Sequence, residues 1–217
     1  YVGVQAVADF NNDGFSDVLL RNENTGVWNM TLLNNRTITE ELAPPMSTSL
    51  TWNVVDAKDF DGNGSADILI RNTTSGAWYI YLYSDTTIIN RGYITTLTND
   101  LTEVIQGVGD FKGDGKNDVL LRNKETNAWS VIYMNGRTPY ETSSIALSTV
   151  SSWKFNAAND LNGDGFTDIT IKHGTSGQVF AYFMGANGTI SSTSNIGSPL
   201  ASSLTAQSLN IWRTDED

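Results

Sequence analysis

The sequence has no cysteine and a single histidine among its 217 residues. Without cysteine there is no disulfide framework, no thiolate metal site and no cysteine nucleophile. Lys and Arg are also few, 13 against 24 Asp and Glu, which gives a net charge of −11. Nucleic acids and anionic membrane surfaces attract basic clusters, so we expect no nucleic-acid partner. Cations are the natural counterpart of such a chain.

Long apolar runs and helical periodicity are missing as well. No apolar run approaches the roughly 18 residues that a membrane-spanning helix needs, so we expect no membrane insertion. No stretch keeps an apolar period of 3.6 residues, so we expect no helices in the fold. Because the chain starts at Tyr1, we expect it to be a processed or excised segment of a longer product.

An acidic segment of nine residues, by contrast, recurs four times. It reads DFNNDGFSD at 9–17, DFDGNGSAD at 59–67, DFKGDGKND at 110–118 and DLNGDGFTD at 160–168. The first aspartates of the four copies are 50, 51 and 50 residues apart. A fixed period of this length is typical of solenoids, propellers and repeat arrays. An apolar triplet, a basic residue and a turn follow each copy.

The segments between the acidic loops predict β-structure. They are rich in Val, Ile, Leu, Trp and Tyr, and their apolar residues alternate, as in Trp78, Ile80 and Leu82. Each repeat has room for about four short strands, which is the content of a propeller blade. We therefore predict an all-β fold, a β-propeller with four blades of about 50 residues in residues 1–200.

The end of the chain predicts a further partial repeat. SLNIWRTDED resembles the strand SLTWNVVDAKD that leads into the second acidic loop. We therefore expect residues 201–217 to form the first strand of a fifth repeat, or a strand exchanged with a neighbouring subunit. A small closed ring, part of a larger ring and a subunit that lends its last strand all remain open.

The spacing within each acidic loop predicts a calcium site. Three of the four loops carry oxygen-bearing side chains at positions 1, 3, 5 and 9, and every loop has glycine at position 6. Ca²⁺ takes six to eight oxygen ligands, which alternate residues of one bent segment can supply. Position 12 is apolar, whereas an EF-hand has glutamate there. Twelve of the 24 acidic residues lie in these loops, so their repulsion favours bound cations over simple Asx-turns.

These loops and their flanks, such as DFNNDGFSDVLLRN, resemble the FG-GAP/VCBS repeats of integrin α-subunits, some fungal lectins and secreted bacterial surface proteins. The resemblance covers all four repeats and implies a calcium ion in each loop, bound at positions 1, 3, 5, 7 and 9. The implied ligands are Asp9, Asn11, Asp13, the Phe15 carbonyl and Asp17; Asp59, Asp61, Asn63, the Ser65 carbonyl and Asp67; Asp110, Asp114, the Lys116 carbonyl and Asp118; and Asp160, Asn162, Asp164, the Phe166 carbonyl and Asp168.

The third loop departs from the pattern, because Lys112 stands at position 3 between Asp110 and Asp114. Two alternatives follow. The lysine ammonium partly replaces the ion, or the side chain turns outward and water fills the gap in the coordination shell. We therefore expect three calcium sites, with the third loop as the uncertain fourth.

Two other sets of residues recur with the repeat. Arg21, Arg71, Arg122 and Lys172 occupy one position, where we expect them to brace a loop carboxylate or a neighbouring blade rather than to form a basic ring around a ligand. Tryptophans recur in the third and the lead-in strands, at Trp28, Trp78, Trp129, Trp52, Trp153 and Trp212. We expect these to be core residues, with sugar stacking as the alternative.

The pattern favours a binding or structural module over an enzyme. The one histidine, His173, stands where asparagine stands in the other repeats, and no Ser/His/Asp arrangement is visible. Calcium that is saturated by protein oxygen leaves no open position for water activation. We expect a secreted or cell-surface adhesion or assembly module, with a carbohydrate-binding lectin as the alternative. Its partner would be a cell-surface protein, a glycan or, through the terminal strand, another copy.

Overall fold

The computed structural model describes residues 1–197 and contains sixteen strands in that part of the chain. Their bounds are β1 Val2–Ala8, β2 Asp17–Asn22, β3 Trp28–Asn34, β4 Thr37–Leu42, β5 Trp52–Lys58, β6 Asp67–Asn72, β7 Trp78–Ser84, β8 Thr87–Tyr93, β9 Glu103–Gly109, β10 Asp118–Asn123, β11 Trp129–Asn135, β12 Thr138–Ile145, β13 Trp153–Asn159, β14 Asp168–His173, β15 Val179–Gly185 and β16 Thr189–Gly197. A 3₁₀ turn at Ala186–Gly188 is the only helical element that this part of the chain has. None of its helices has the length and apolar character of a membrane span.

Each repeat folds into one antiparallel sheet of four consecutive strands, in the orders β1-β2-β3-β4, β5-β6-β7-β8, β9-β10-β11-β12 and β13-β14-β15-β16. The turn between the second and third strands needs positive φ at its last residue, which is Gly26, Gly76, Asn127 or Gly177. Asn127 has φ 59°, a value that asparagine tolerates better than most residues. These sheets are the blades of a β-propeller, which confirms the prediction made from the period.

The first strand of every blade contacts the first strand of the next, so these strands form the inner layer of the propeller. Each carries one bulge residue that has no partner in the ladder: Gln5, Val55, Gln106 and Asn156. Bulges increase local twist and re-aim the side chains that follow. The acidic loops connect this inner strand to the second strand of the same blade.

Three hydrophobic cores lie between successive blades. Trp28, Trp78 and Trp129 from the third strands are at most 3% exposed, which confirms their predicted place in the core. Trp52 is also buried, between blades 1 and 2. Because the two middle sheets are covered on both faces by their neighbours, apolar residues occupy both faces of strands such as β7.

The two ends of this four-blade array are more open than its middle. The residue after the first loop aspartate is fully buried by the following blade in Phe10, Phe60 and Phe111, but its counterpart Leu161 in blade 4 is 46% exposed. At the other end, Val4 of the first inner strand is 63% exposed. The predicted partial fifth repeat, residues 201–217, lies outside the described residues.

Candidate metal loops and the blade junctions

The first aspartate of each loop organises the backbone around itself. In the second loop, Asp59 accepts hydrogen bonds from the amides of Gly62, Asn63 and Gly64 at 2.6–3.2 Å. Corresponding amides donate to Asp9, Asp110 and Asp160. The bend at position 6 depends on positive φ, which is 94° at Gly64. The loop backbone is therefore folded so that alternate side chains converge on one side.

The second loop brings its carboxylates closest together. One oxygen each of Asp59, Asp61 and Asp67 lies within 4.8 Å of the other two. Asn63 at position 5 donates from its side-chain amide to the Tyr83 carbonyl at 2.6 Å, while its side-chain oxygen accepts from the Ser65 amide. Three convergent carboxylates are a hard-oxygen donor set, which suits Ca²⁺ better than a soft metal.

The first and fourth loops share one arrangement with each other. Asn11 and Asn162 at position 3 donate to the carboxylates of Asp13 and Asp164 at position 5, at 3.1 and 2.8 Å. The position-5 carboxylates also accept from the amides of Phe15 and Phe166. These loops therefore hold the side chains of positions 1, 3 and 5 in one cluster, which consists of two carboxylates and one neutral amide.

The aspartate at position 9 has a structural role that the sequence did not predict. Asp17, Asp67, Asp118 and Asp168 are all at most 1% exposed. In each, one carboxylate oxygen accepts from the amide of loop position 2 and the other from an amide in the third strand; for Asp67 these are Phe60 at 2.8 Å and Tyr83 at 2.7 Å. Each carboxylate thus ties its loop to the blade, and its remaining lone pairs can still face the loop.

Burial raises the pKa of Asp67 and Asp118 to about 7, and the amide hydrogen bonds only partly oppose this effect. The other loop aspartates contribute in the same direction, since like charges disfavour the ionised form. Burial raises the pKa of Asp17 and Asp168 too. A crowded, desolvated carboxylate of this kind is stabilised when a cation is bound beside it.

In the third loop, Lys112 turns outward. Its ammonium pairs with Glu141 on β12 and lies 4.0 Å from the centre of the Tyr133 ring and 5.0 Å from that of Tyr140. The hydroxyl of Tyr140 donates to Asp114 at 3.4 Å. The structure therefore favours the outward alternative over an ammonium that replaces the ion, and position 3 supplies no oxygen in this loop.

Successive loops are linked by a repeated backbone hydrogen bond. The amide at loop position 8 donates to the carbonyl of the first aspartate in the preceding loop: Ala66 to Asp9 at 2.8 Å, Asn117 to Asp59 at 3.0 Å and Thr167 to Asp110 at 2.7 Å. Sequence analysis missed this link, because it involves only backbone atoms. The burial of loop position 2 was also missed, although the recurring Phe after the first aspartate was a visible signal.

The recurring arginines bridge neighbouring blades, as predicted. Arg21 donates to the carbonyls of Trp52 and Ser49 in the next blade at 2.6 and 2.7 Å, and its guanidinium stacks 4.5 Å from the centre of the Trp28 ring. Arg71 and Arg122 repeat both contacts. The acceptors are main-chain carbonyls rather than the loop carboxylates that were the other expectation.

Comparison with known proteins agrees with this architecture. A family model described as an FG-GAP-like repeat matches residues 9–70 and 110–171, which together make up more than half of the chain. The two matches begin at the first aspartates of loops 1 and 3 and extend into β6 and β14. Each match therefore spans two acidic loops. No curated protein matches the chain in sequence.

Proposed function

The chain belongs to the FG-GAP-like repeat family, and on that premise we propose that it is a non-enzymatic, calcium-stabilised propeller module that serves adhesion or structural assembly outside the cell. The observation that carries the proposal is the convergence of Asp59, Asp61 and Asp67 within 4.8 Å in the second loop. Three carboxylates at that separation repel one another unless a cation lies among them.

The donor set of the loops fits calcium. In the first, second and fourth loops, the ligands would be side-chain oxygens at positions 1, 3, 5 and 9 together with the carbonyl of position 7. When bound, the ion would supply positive charge that neutralises the clustered carboxylates, and three dications would reduce the net charge of −11 to −5. The loop aspartates themselves hold the loop backbone in place, because Asp59 and Asp67 accept hydrogen bonds from amides on both sides of the loop. Metal binding and loop order are thereby coupled.

Removal of calcium tests the metal assignment. We expect EDTA to lower the melting temperature by many degrees, and added Ca²⁺ but not Mg²⁺ at equal concentration to restore it, because the loops suit an ion with more and longer oxygen contacts. Differential scanning calorimetry at several calcium concentrations measures the effect. An unchanged melting temperature in EDTA would overturn the metal assignment.

The surroundings of His173 support a non-enzymatic role. Its Nδ1 accepts a hydrogen bond from the Ser176 amide at 3.1 Å within the β14–β15 turn. In the other blades, the asparagine side-chain oxygen accepts the equivalent amide hydrogen bond. The ring packs edge-on against Trp153 at a centroid distance of 5.0 Å. These contacts give the histidine a turn-forming role like that of the asparagines.

A lectin function is the second candidate, and an aromatic cluster favours it. Tyr93 is 58% exposed, and its ring lies 5.1 Å from that of Tyr79 and 6.0 Å from that of Trp52. Exposed aromatic faces can stack on sugar rings. A glycan array separates the two candidates: a lectin binds a defined glycan and loses it in Tyr93→Ala, whereas an adhesion module without lectin activity gives no glycan signal.

The proposed partners are a cell-surface protein or glycan and, through the terminal strand, a second copy of the chain. The acidic net charge supports a partner other than nucleic acid. Secretion or display at the cell surface is part of the same proposal, since extracellular calcium is abundant enough to fill sites of modest affinity. Pull-down from surface-biotinylated cells in calcium and in EDTA would test the extracellular partner.

A further inference from the structure

The junction between blades 2 and 3 is built differently from the other two. At the first and third junctions, the inner strand of one blade contributes a small residue and the inner strand of the next contributes a large one. Ala6 and Trp52 belong to the core of the first junction, and Gly107 lies against Phe155, next to Trp153, at the third. At the second junction, the corresponding residues are Asp56 and Glu103.

These replacements leave a cleft of about 630 Å³ between β5 and β9. Its walls include Val54, Val104 and Ile105, and both Asp56 and Glu103 line it. Ile105 occupies the position of Phe155 at the third junction and of Val54 at the first, so the departure that is peculiar to this junction is the pair Asp56 and Glu103. The cleft therefore results from residues that depart from the repeat at a single junction.

The charged side chains of the cleft differ in the number of hydrogen-bond partners that the protein supplies to them. Arg71 also lines it, but its guanidinium already donates to the carbonyls of Gly76, Asp100 and Glu103. One oxygen of Glu103 accepts from the Asn123 side chain. For Asp56, the one hydrogen bond among the described residues is the 2.8 Å contact of Oδ1 with the adjacent Ala57 amide. Its second oxygen is thus available to a donor in the cleft.

Asp56 is costly for the fold as it stands. Burial raises the pKa of its carboxyl, and the Ala57 amide and the charge of Lys58 only partly oppose this. Blades 1 and 4 have Ala6 and Ala157 at the same position, so the blade itself needs only a small side chain there. The fold does not require a carboxylate at this position, and the other two junctions fill the corresponding space with apolar side chains. Asp56 in an open cleft therefore indicates a binding role.

We propose that this cleft binds a primary alkylammonium group, with the ammonium donating to Asp56 and the alkyl chain packed on Val54, Val104 and Ile105. The two carboxylates exceed the single arginine in charge, so the cleft favours a cation over an anion. None of the residues that line it is aromatic, so it lacks the flat platform on which a sugar ring would stack.

Titration of the calcium-loaded protein with n-pentylammonium, followed by amide NMR, tests the site. We expect saturable shifts at Val54 and at residues 104–108, and no comparable shifts with neutral 1-pentanol or anionic hexanoate. Asp56→Ala should weaken binding at least about tenfold, since a hydrogen bond to a charged group is lost. Glu103→Trp places in this junction the residue found in blades 2 and 4, and it should abolish binding by filling the cleft.

The fold of both variants is checked by a retained cooperative melting transition, and Glu40→Ala, which removes an exposed carboxylate on β4, should leave binding unchanged. A second arm uses the amide of Nα-acetyl-lysine. Equal binding of this probe assigns the ammonium to a lysine of a partner protein, and binding of pentylammonium alone assigns it to a free amine. Absence of saturable shifts in the native protein, or equal affinity in Asp56→Ala, overturns the proposal, whatever the outcome of the calcium and glycan experiments.

Discussion

Lys112 replaces a ligand oxygen with a cation, yet its loop keeps the backbone of the other three. The ammonium is held by Glu141 and by the faces of two tyrosines, which together compensate for the lost contact with solvent. The loop still has Asp110, Asp114 and Asp118. One substitution therefore separates the loop fold from its expected affinity for calcium.

Lys112→Asp should create a calcium site of the same kind as the other loops. We expect isothermal titration calorimetry to show one additional ion per chain, or a clear gain in affinity at one site. In EDTA the variant should be less stable by about 1–2 kcal/mol, because the contact with the tyrosines is lost and a fourth carboxylate is added. An unchanged calcium titration would contradict this account of the loop.

Asp56 lies outside the acidic loops, and its burial predicts how stability depends on pH. Its raised pKa means that the carboxylate form disfavours folding, and this cost is present at neutral pH and vanishes as pH falls below the unfolded pKa, where the carboxyl is protonated in both states. Asp56→Ala should therefore raise Tm by about 2–4 °C at pH 7, for a gain of roughly 1 kcal/mol. The difference between variant and native protein should disappear near pH 3; a constant difference would rule out this electrostatic cause.

At the scale of the strand and the blade, the sequence predicted what depends on local pattern. Alternating apolar residues predicted the strands. Glycine or asparagine at the position that needs positive φ predicted the turn between the second and third strands of each blade. The orientation of the Lys112 side chain was not predictable, because its partners Tyr133, Tyr140 and Glu141 lie in strands that are close to the loop only in the folded blade. The cleft at Asp56 was hidden for the same reason: it depends on which residues face each other across two blades.

The arginine bridges contribute to the stability of the blade junctions, and the effect of removing one can be predicted. Arg122→Ala removes hydrogen bonds to the Trp153 and Val150 carbonyls and the stacking on Trp129. We expect a loss of about 2 kcal/mol in the free energy of unfolding, measured by urea denaturation in calcium. Lys172→Ala is the matched control, since this side chain has the same place in blade 4 and is exposed.

The control should change stability by less than about 0.5 kcal/mol, as exposed substitutions usually do. Similar losses in both variants would show that the position acts within its own blade rather than through the junction. A fall in the urea m-value of Arg122→Ala would indicate that blade 4 then unfolds separately from blades 1–3.

For the whole molecule, the repeat period predicted the propeller architecture, the four blades of residues 1–197 and the place of the acidic loop in each. The period did not determine how the array ends, since three junctions among four blades are compatible with several larger arrangements. In residues 1–197, the backbone hydrogen bond between successive loops occurs three times, and none joins Ser16 of blade 1 to Asp160 of blade 4. Both residues are exposed.

That hydrogen bond also gives the array a polarity. Within residues 1–197 every link has its donor in the later blade and its acceptor in the earlier one, so the end at blade 1 has an amide, of Ser16, and the end at blade 4 a carbonyl, of Asp160, without this link. Two such ends are complementary to each other but not to themselves. Two copies joined through this contact would therefore be arranged head to tail, as in a ring or a filament, and a twofold-symmetric pair would have to use some other surface.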